Sequence, residues 1–321
     1  MFCRSTIRVW RVLVSARDLA FLSGMGNGEN SILAVDSDGC ALDAMEIKHR
    51  RCFTPAIIRT WGLESIADTV EWGSLRINLH SDWRGVNRFV ALARLFRWLP
   101  TVVEDPKGVP LPRFAALDAW IAQGSALSEE SSIARIAEVN EEDAFELKQV
   151  LAWTREVNRS VAELPPPPAF AAVACTLAKA VDRGLSVFVV SSATREAIRR
   201  EWSEAGIADA VVAFFGQEDG SKTEILRRLV LRSGHASRLL MVGDAPGDLV
   251  AARAAHARFF PIIPGSENDS WTALRDTVLA VYPPAFPPAE WVDAWQARFR
   301  RALPDVEAAL AGGELSAANA S

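Results

Sequence analysis

The chain has 321 residues, half of them hydrophobic and 23% charged, with a net charge of −5. That length holds a core domain and a second domain. The acidic balance gives no electrostatic footprint for nucleic acid or an anionic membrane surface, and no apolar run is long enough to span a bilayer. The four cysteines, Cys3, Cys40, Cys52 and Cys175, show neither close pairing nor zinc-ligand spacing, the usage expected of a reducing cytoplasm.

Residues 1–30 read as an N-terminal extension. Arg8, Arg11 and Arg17 interrupt any would-be signal core, and Met25 stands shortly before the first strand. Translation is expected to begin at Met25, which leaves the segment before it without a role in the fold. Residues 31–36 then form a short, continuously apolar strand that ends in Asp36-Ser37-Asp38-Gly39. Two carboxylates at the tip of an apolar strand need positive charge beside them. A hard divalent cation suits them, while a solvated turn is the plain alternative.

From Asp38 to the next strand tip at Ser191 is 153 residues. A strand–helix–strand unit needs only about 30, so about 120 residues form an insertion of domain size. We place it at 45–165. Amphipathic stretches at 87–98, 110–124 and 145–153 make it mainly helical. Arg84, Asn87 and Arg88, in a segment that also carries His80, Trp83 and a possible joint at Gly85, are the candidates there for gripping an anionic substrate group. The favoured reading of that segment is nevertheless an ordinary solvated loop with Trp83 in the core of the inserted domain. His49 is expected at the surface. Pro165–Pro168 is a stiff connector back to the core.

Beyond the connector the pattern alternates. Helices are expected near 170–182, 194–205, 222–233 and 247–257, and strands at 186–191, 211–215, 239–243 and 259–263. Gly184, Gly206 and Gly234 fall just past three of the helices, where a left-handed cap is wanted. This is the pattern of an α/β fold, a doubly wound parallel sheet with helices on both faces. Three further signals sit at element ends. Ser191 and Ser192 close a strand before a helix, and can either bind a phosphate oxygen or simply start the helix. Lys222 stands in the first turn of a helix, where its charge opposes the dipole. Asp244 ends a strand, and Asp248 follows in the next first turn, where capping is the alternative role. Residues 283–321 read as a Pro-rich linker, an amphipathic helix over 290–302 and a disordered tail from 311.

Taken in order, Asp36/Asp38, Ser191, Lys222 and Asp244/Asp248 resemble the four motifs of the haloacid dehalogenase superfamily, in its aspartate-dependent phosphatase branch. The resemblance covers 31–44 and about 170–265. It implies a Rossmann-like core made of 31–44 and 166–282, with 45–165 as a cap that closes over the site and selects the substrate. It implies Asp36 as nucleophile and Asp38 as general acid and base, with Ser191, Ser192 and Lys222 binding phosphate. It implies Mg²⁺ held by Asp36, the Asp38 carbonyl, Asp244 and Asp248. The acid at 38 disfavours dehalogenation and phosphonate cleavage. The expected activity is hydrolysis of a small phosphorylated metabolite in the cytoplasm. A phosphomutase of the same superfamily, or a non-catalytic member that binds phosphate or a partner, is the alternative.

Overall fold

A computed structural model describes residues 31–103, 108–109, 111–124 and 127–312; the expected extension at 1–30 and the tail from 313 lie outside them. Five short strands, β1 (Ile32–Val35), β2 (Ser186–Val190), β3 (Val211–Phe215), β4 (Leu239–Gly243) and β5 (Arg258–Pro261), form one sheet in the order β3-β2-β1-β4-β5. Every neighbouring pair is parallel. The expected α/β doubly wound sheet is therefore present, with β1 at its centre. β1 and β4 are buried along their whole length, which is why both read as unbroken apolar runs rather than alternating ones.

Helix Val173–Asp182 packs on β2, and Arg195–Glu204 on β3. Helices Lys222–Ser233 and Pro246–Ala254 pack on each other beside β1, β4 and β5. Gly184, Gly206 and Gly234 adopt φ of +79°, +71° and +74°, so each expected left-handed stop is in place. The far edge at β5 is covered by helix Ala289–Ala302. Trp295 of that helix stacks on Phe260 and donates its indole N–H to the Pro261 carbonyl at 3.0 Å. Covering the edge removes an unpaired row of backbone groups.

A second hydrophobic cluster is formed mainly by the chain between β1 and β2. It is built from helices Thr54–Trp61, Ala67–Leu79, Arg88–Val102, Ala115–Ala122 and Glu141–Ala162, with Glu129–Ile136 packed on the last. Trp61, Phe96 and Phe114 meet edge-on at its centre, with centroids 4.6 to 5.4 Å apart. Asn87, Ser128 and Asn140 accept backbone N–H bonds as N-caps, which sets three of these helix starts.

Three sequence readings are corrected here. His49 is not at the surface: it is 6% exposed and stacks on Phe53. The basic residues around it suggested solvent, but His49, Cys52 and Ala56 share one buried stripe of the continuous helical stretch that begins at Met45. The segment at Ser81–Val86 is not a simple solvated loop, because Arg84 is buried and reaches the core. Ala311, expected to open the disordered tail, is instead the last residue of helix Val306–Ala311, whose Val306 and Leu310 lie in the second cluster.

Candidate active site

The site lies where the strand order turns back on itself, at the carboxyl end of β1 between β2 and β4. Asp36 follows β1 directly, and its N–H still bonds the Val242 carbonyl at 2.9 Å. That bond extends the ladder by one residue and sets Asp36 beside the tip of β4, where Gly243 leads into Asp244. Asp248 lies in the first turn of helix Pro246–Ala254, and its carboxylate accepts the Ala245 N–H at 3.1 Å. A Cβ on Gly243 would collide with the Asp248 carboxylate, so only glycine lets that side chain fold back against the strand end. Asp36, Asp244 and Asp248 come together as a buried triad, with one oxygen of each within 4.8 Å of the others.

Charge in the triad is offset by Lys222. Its Nζ lies 2.8 Å from Asp36 Oδ2 and 2.6 Å from Asp248 Oδ1. The sequence places Lys222 against its helix dipole; the two carboxylates are the anionic partners it needs. Burial works against its charge, yet Asp248 and Asp36 hold its ammonium above the ordinary lysine range. Burial pushes Asp36 up to about 7, with Lys222 opposing and Asp248 adding to the rise. Burial takes Asp244 up to about 6, opposed by Arg84 and reinforced by Asp36. Burial raises Asp248 likewise, against Lys222. These carboxyls are uncomfortable as anions in this setting, as expected where a stronger cation belongs.

The donor set fits a hard divalent cation. All three ligands are carboxylates, and Asp244 Oδ1 is a buried oxygen with no hydrogen-bond partner. Its other oxygen accepts a 2.7 Å bond from Arg84 Nε.

Asp38 sits at the rim, 24% exposed at its side chain, with both oxygens 2.8 Å from Lys48 Nζ. Lys48 also contacts Glu201 at 3.1 Å. Neither Lys48 nor Glu201 was among the sequence candidates. No local pattern links them, since 153 positions separate the pair. Ser191 is buried at the tip of β2, where its Oγ accepts the Ala193 N–H at 3.2 Å, while Ser192 is exposed. Neither starts the following helix, because Thr194 is its N-cap. Of the three substrate candidates within 45–165, Arg84 bonds a triad residue and the other two do not. Asn87 caps its own helix and donates to the Leu127 carbonyl, and Arg88 bonds Asn158 over the face of Phe53.

Residues 121–262 match the family model described as haloacid dehalogenase-like hydrolase. The matched span holds Ser191, Lys222, Asp244 and Asp248; Asp36 precedes it in sequence and joins Asp244 and Asp248 in space. Among solved structures, the chain is similar to a predicted phosphoglycolate phosphatase from Haemophilus somnus 129pt. The identity is 14%, over 76% of this chain and 92% of that one, with a TM-score of 0.47. It is also similar to a phosphonoacetaldehyde hydrolase-like protein from Oleispira antarctica, at 14% identity over 87% of each chain with a TM-score of 0.45. No curated protein matches the chain at a significant level. No helix among the described residues is long and apolar enough to cross a membrane.

Proposed function

We propose that this protein is a haloacid dehalogenase-like hydrolase, a divalent-metal-dependent phosphatase acting on a small phosphorylated metabolite through an aspartyl-phosphate on Asp36. The observation that carries the reading is the buried triad Asp36, Asp244 and Asp248 around Lys222, with a second acid, Asp38, at the rim two residues beyond the first. Phosphate monoesters hydrolyse so slowly unaided that accelerations of up to ~10²¹-fold are needed. Positioning and charge neutralisation supply most of that. Asp36, Asp244, Asp248 and the Asp38 carbonyl would hold Mg²⁺, which when bound offsets the repulsion between the attacking carboxylate and the dianionic phosphoryl group.

An Asp36 oxygen attacks phosphorus, forming the acyl-phosphate bond as the ester P–O bond breaks. Asp38 gives its proton to the departing alkoxide, which leaves as the alcohol. It then takes a proton from the water that attacks the acyl-phosphate, and Asp36 is released with inorganic phosphate. Lys222 and the Ser191 hydroxyl bind the transferring oxygens. Lys222 exchanges an Asp36 oxygen for a phosphoryl oxygen as it does so. The helices of 45–165, as the cap, exclude bulk water and select the alcohol portion.

A panel of phosphate monoesters assayed with Mg²⁺ tests the reading. Phosphate release from at least one ester, abolished in Asp36→Asn with an unchanged circular-dichroism spectrum, is the expected result. Full activity in that variant, or no turnover of any ester by metal-loaded protein, contradicts it.

A further inference from the structure

Asp244 faces two ways. Oδ1 is buried and unpartnered, while Oδ2 accepts the Arg84 Nε bond at 2.7 Å. Arg84 is not a core residue. It stands in the segment between helices Ala67–Leu79 and Arg88–Val102, whose apolar faces belong to the second cluster, and it also donates to the Leu79 carbonyl at 3.1 Å. Both partners are nearly sealed, at 6% and 2% side-chain exposure.

The surroundings are shaped to this contact. Gly39 has a φ of +74°, and a Cβ there would lie 2.5 Å from an Arg84 terminal nitrogen and 2.5 Å from Asp244 Oδ2. A Cβ on Gly85 would lie 2.8 Å from that of Ala245, the residue after Asp244. The backbone on both sides is thus pared down so that the guanidinium can lie against the triad.

Asp36, Asp244 and Asp248 carry three negative charges when ionised, and Lys222 and Arg84 bring two positive ones. A divalent cation added to this set places like charges together in a buried place where water and salt screen little. Lys222 is held by two of the acids, whereas Arg84 has one. The guanidinium is the cation that gives way.

We propose that Arg84 is a resident cation that competes with the divalent metal for Asp244, so that metal loading detaches the Ser81–Val86 segment from the core. The proposal rests on reading the triad as a metal centre. Between the metal-free and metal-loaded states, Arg84 and the metal exchange places on one carboxylate.

Calorimetric titration of MgCl₂ into the full chain and into Arg84→Met tests it without reference to turnover. Mg²⁺ is expected to bind Arg84→Met about tenfold or more tightly than the wild type, and to bind Arg84→Lys within about threefold of the wild type. In the wild type, hydrogen exchange of the amides of 81–86 is expected to speed up on adding Mg²⁺; in Arg84→Met it is fast with or without the metal. Unchanged or weaker Mg²⁺ binding by Arg84→Met overturns the proposal, since Arg84 would then orient Asp244 rather than compete for it. Should that variant not fold, unchanged or slower exchange at 81–86 in the magnesium-loaded wild type overturns it equally. Tighter binding in the variant with no ester hydrolysed by the wild type sinks the phosphatase reading alone. Ester hydrolysis by the wild type with weaker Mg²⁺ binding in the variant sinks this inference alone.

Discussion

Lys222 is the side chain the site can least spare. Removing one member of a buried charge cluster leaves its partners uncompensated, at a cost of about 3–5 kcal/mol. Lys222→Met is therefore expected to lower the urea unfolding free energy by about that amount in metal-free buffer. The same titration with excess Mg²⁺ should show a smaller loss, because a bound cation replaces part of the missing charge. An equal loss in both buffers would mean that the metal does not reach the triad. His49 makes a different prediction. Burial, aided by Arg84, Arg88 and Lys48, moves its imidazole from 6.5 down to about 3 in the folded chain. Below 6.5 the unfolded chain takes up a proton that the folded chain refuses, so the stability from this group is present above 6.5 and drains away as the pH falls. The slope is at most about 1.4 kcal/mol per pH unit. His49→Leu should flatten that part of the urea-midpoint profile between about pH 6 and pH 4; an unaltered slope would place the acid sensitivity elsewhere.

At the scale of elements, the helix that delivers Lys222 is set by its start. Ser221 Oγ accepts the Glu224 N–H and the Glu224 carboxylate accepts the Ser221 N–H, a reciprocal cap. Ser221→Ala is expected to cost about 1 kcal/mol in thermal unfolding. It should also weaken substrate binding, since fraying this turn loosens Lys222; a stability loss with unchanged KM would separate the cap from the site. This helix, Lys222–Ser233, was readable in the sequence to the residue, as were β3 and β4. Apolar runs between turn residues and a glycine at the left-handed stop are local signals, and the core is made of them. The triad was readable for a related reason: each member is a carboxylate at the end of an apolar strand or in the first turn of the next helix, where burial makes an acid conspicuous. What stayed hidden depends on contacts made across the chain. Lys48 looked like one more charge in a basic run, and only the fold shows it between Asp38 and Glu201. Arg84 was a candidate for gripping substrate, but its bond to Asp244 joins positions 160 residues apart. Helix Glu141–Ala162 extends well past the expected 145–153, because charged residues at both ends blurred the apolar stripe that a cap Asn and neighbouring helices complete.

At the scale of the whole molecule, the C-terminal segment binds the two hydrophobic bodies together. Helix Ala289–Ala302 lies on the core through Trp295 and Phe299, and Val306–Ala311 lies on the second cluster through Val306 and Leu310. Between them the chain meets the segment that carries Arg84. Asp82 donates its N–H to the Pro304 carbonyl at 2.8 Å, and its carboxylate accepts the Val306 N–H at 3.0 Å. Arg94 pairs with Glu307, the residue after Val306. The second cluster is tethered in this way, and the segment that carries Arg84 is held at Asp82 from the side away from the triad. Leu310→Ala removes a buried anchor of the strap, a change of about 2–3 kcal/mol for a side chain at the end of a helix. The loss is expected in the unfolding of the second cluster rather than of the sheet. Hydrogen exchange should therefore quicken at 81–86 and along Ala67–Leu79, while β1 and β4 stay as protected as before. Uniform loss of protection across the second cluster and the sheet would instead mean that the two bodies unfold as one cooperative unit, with the strap as an ordinary part of a single core.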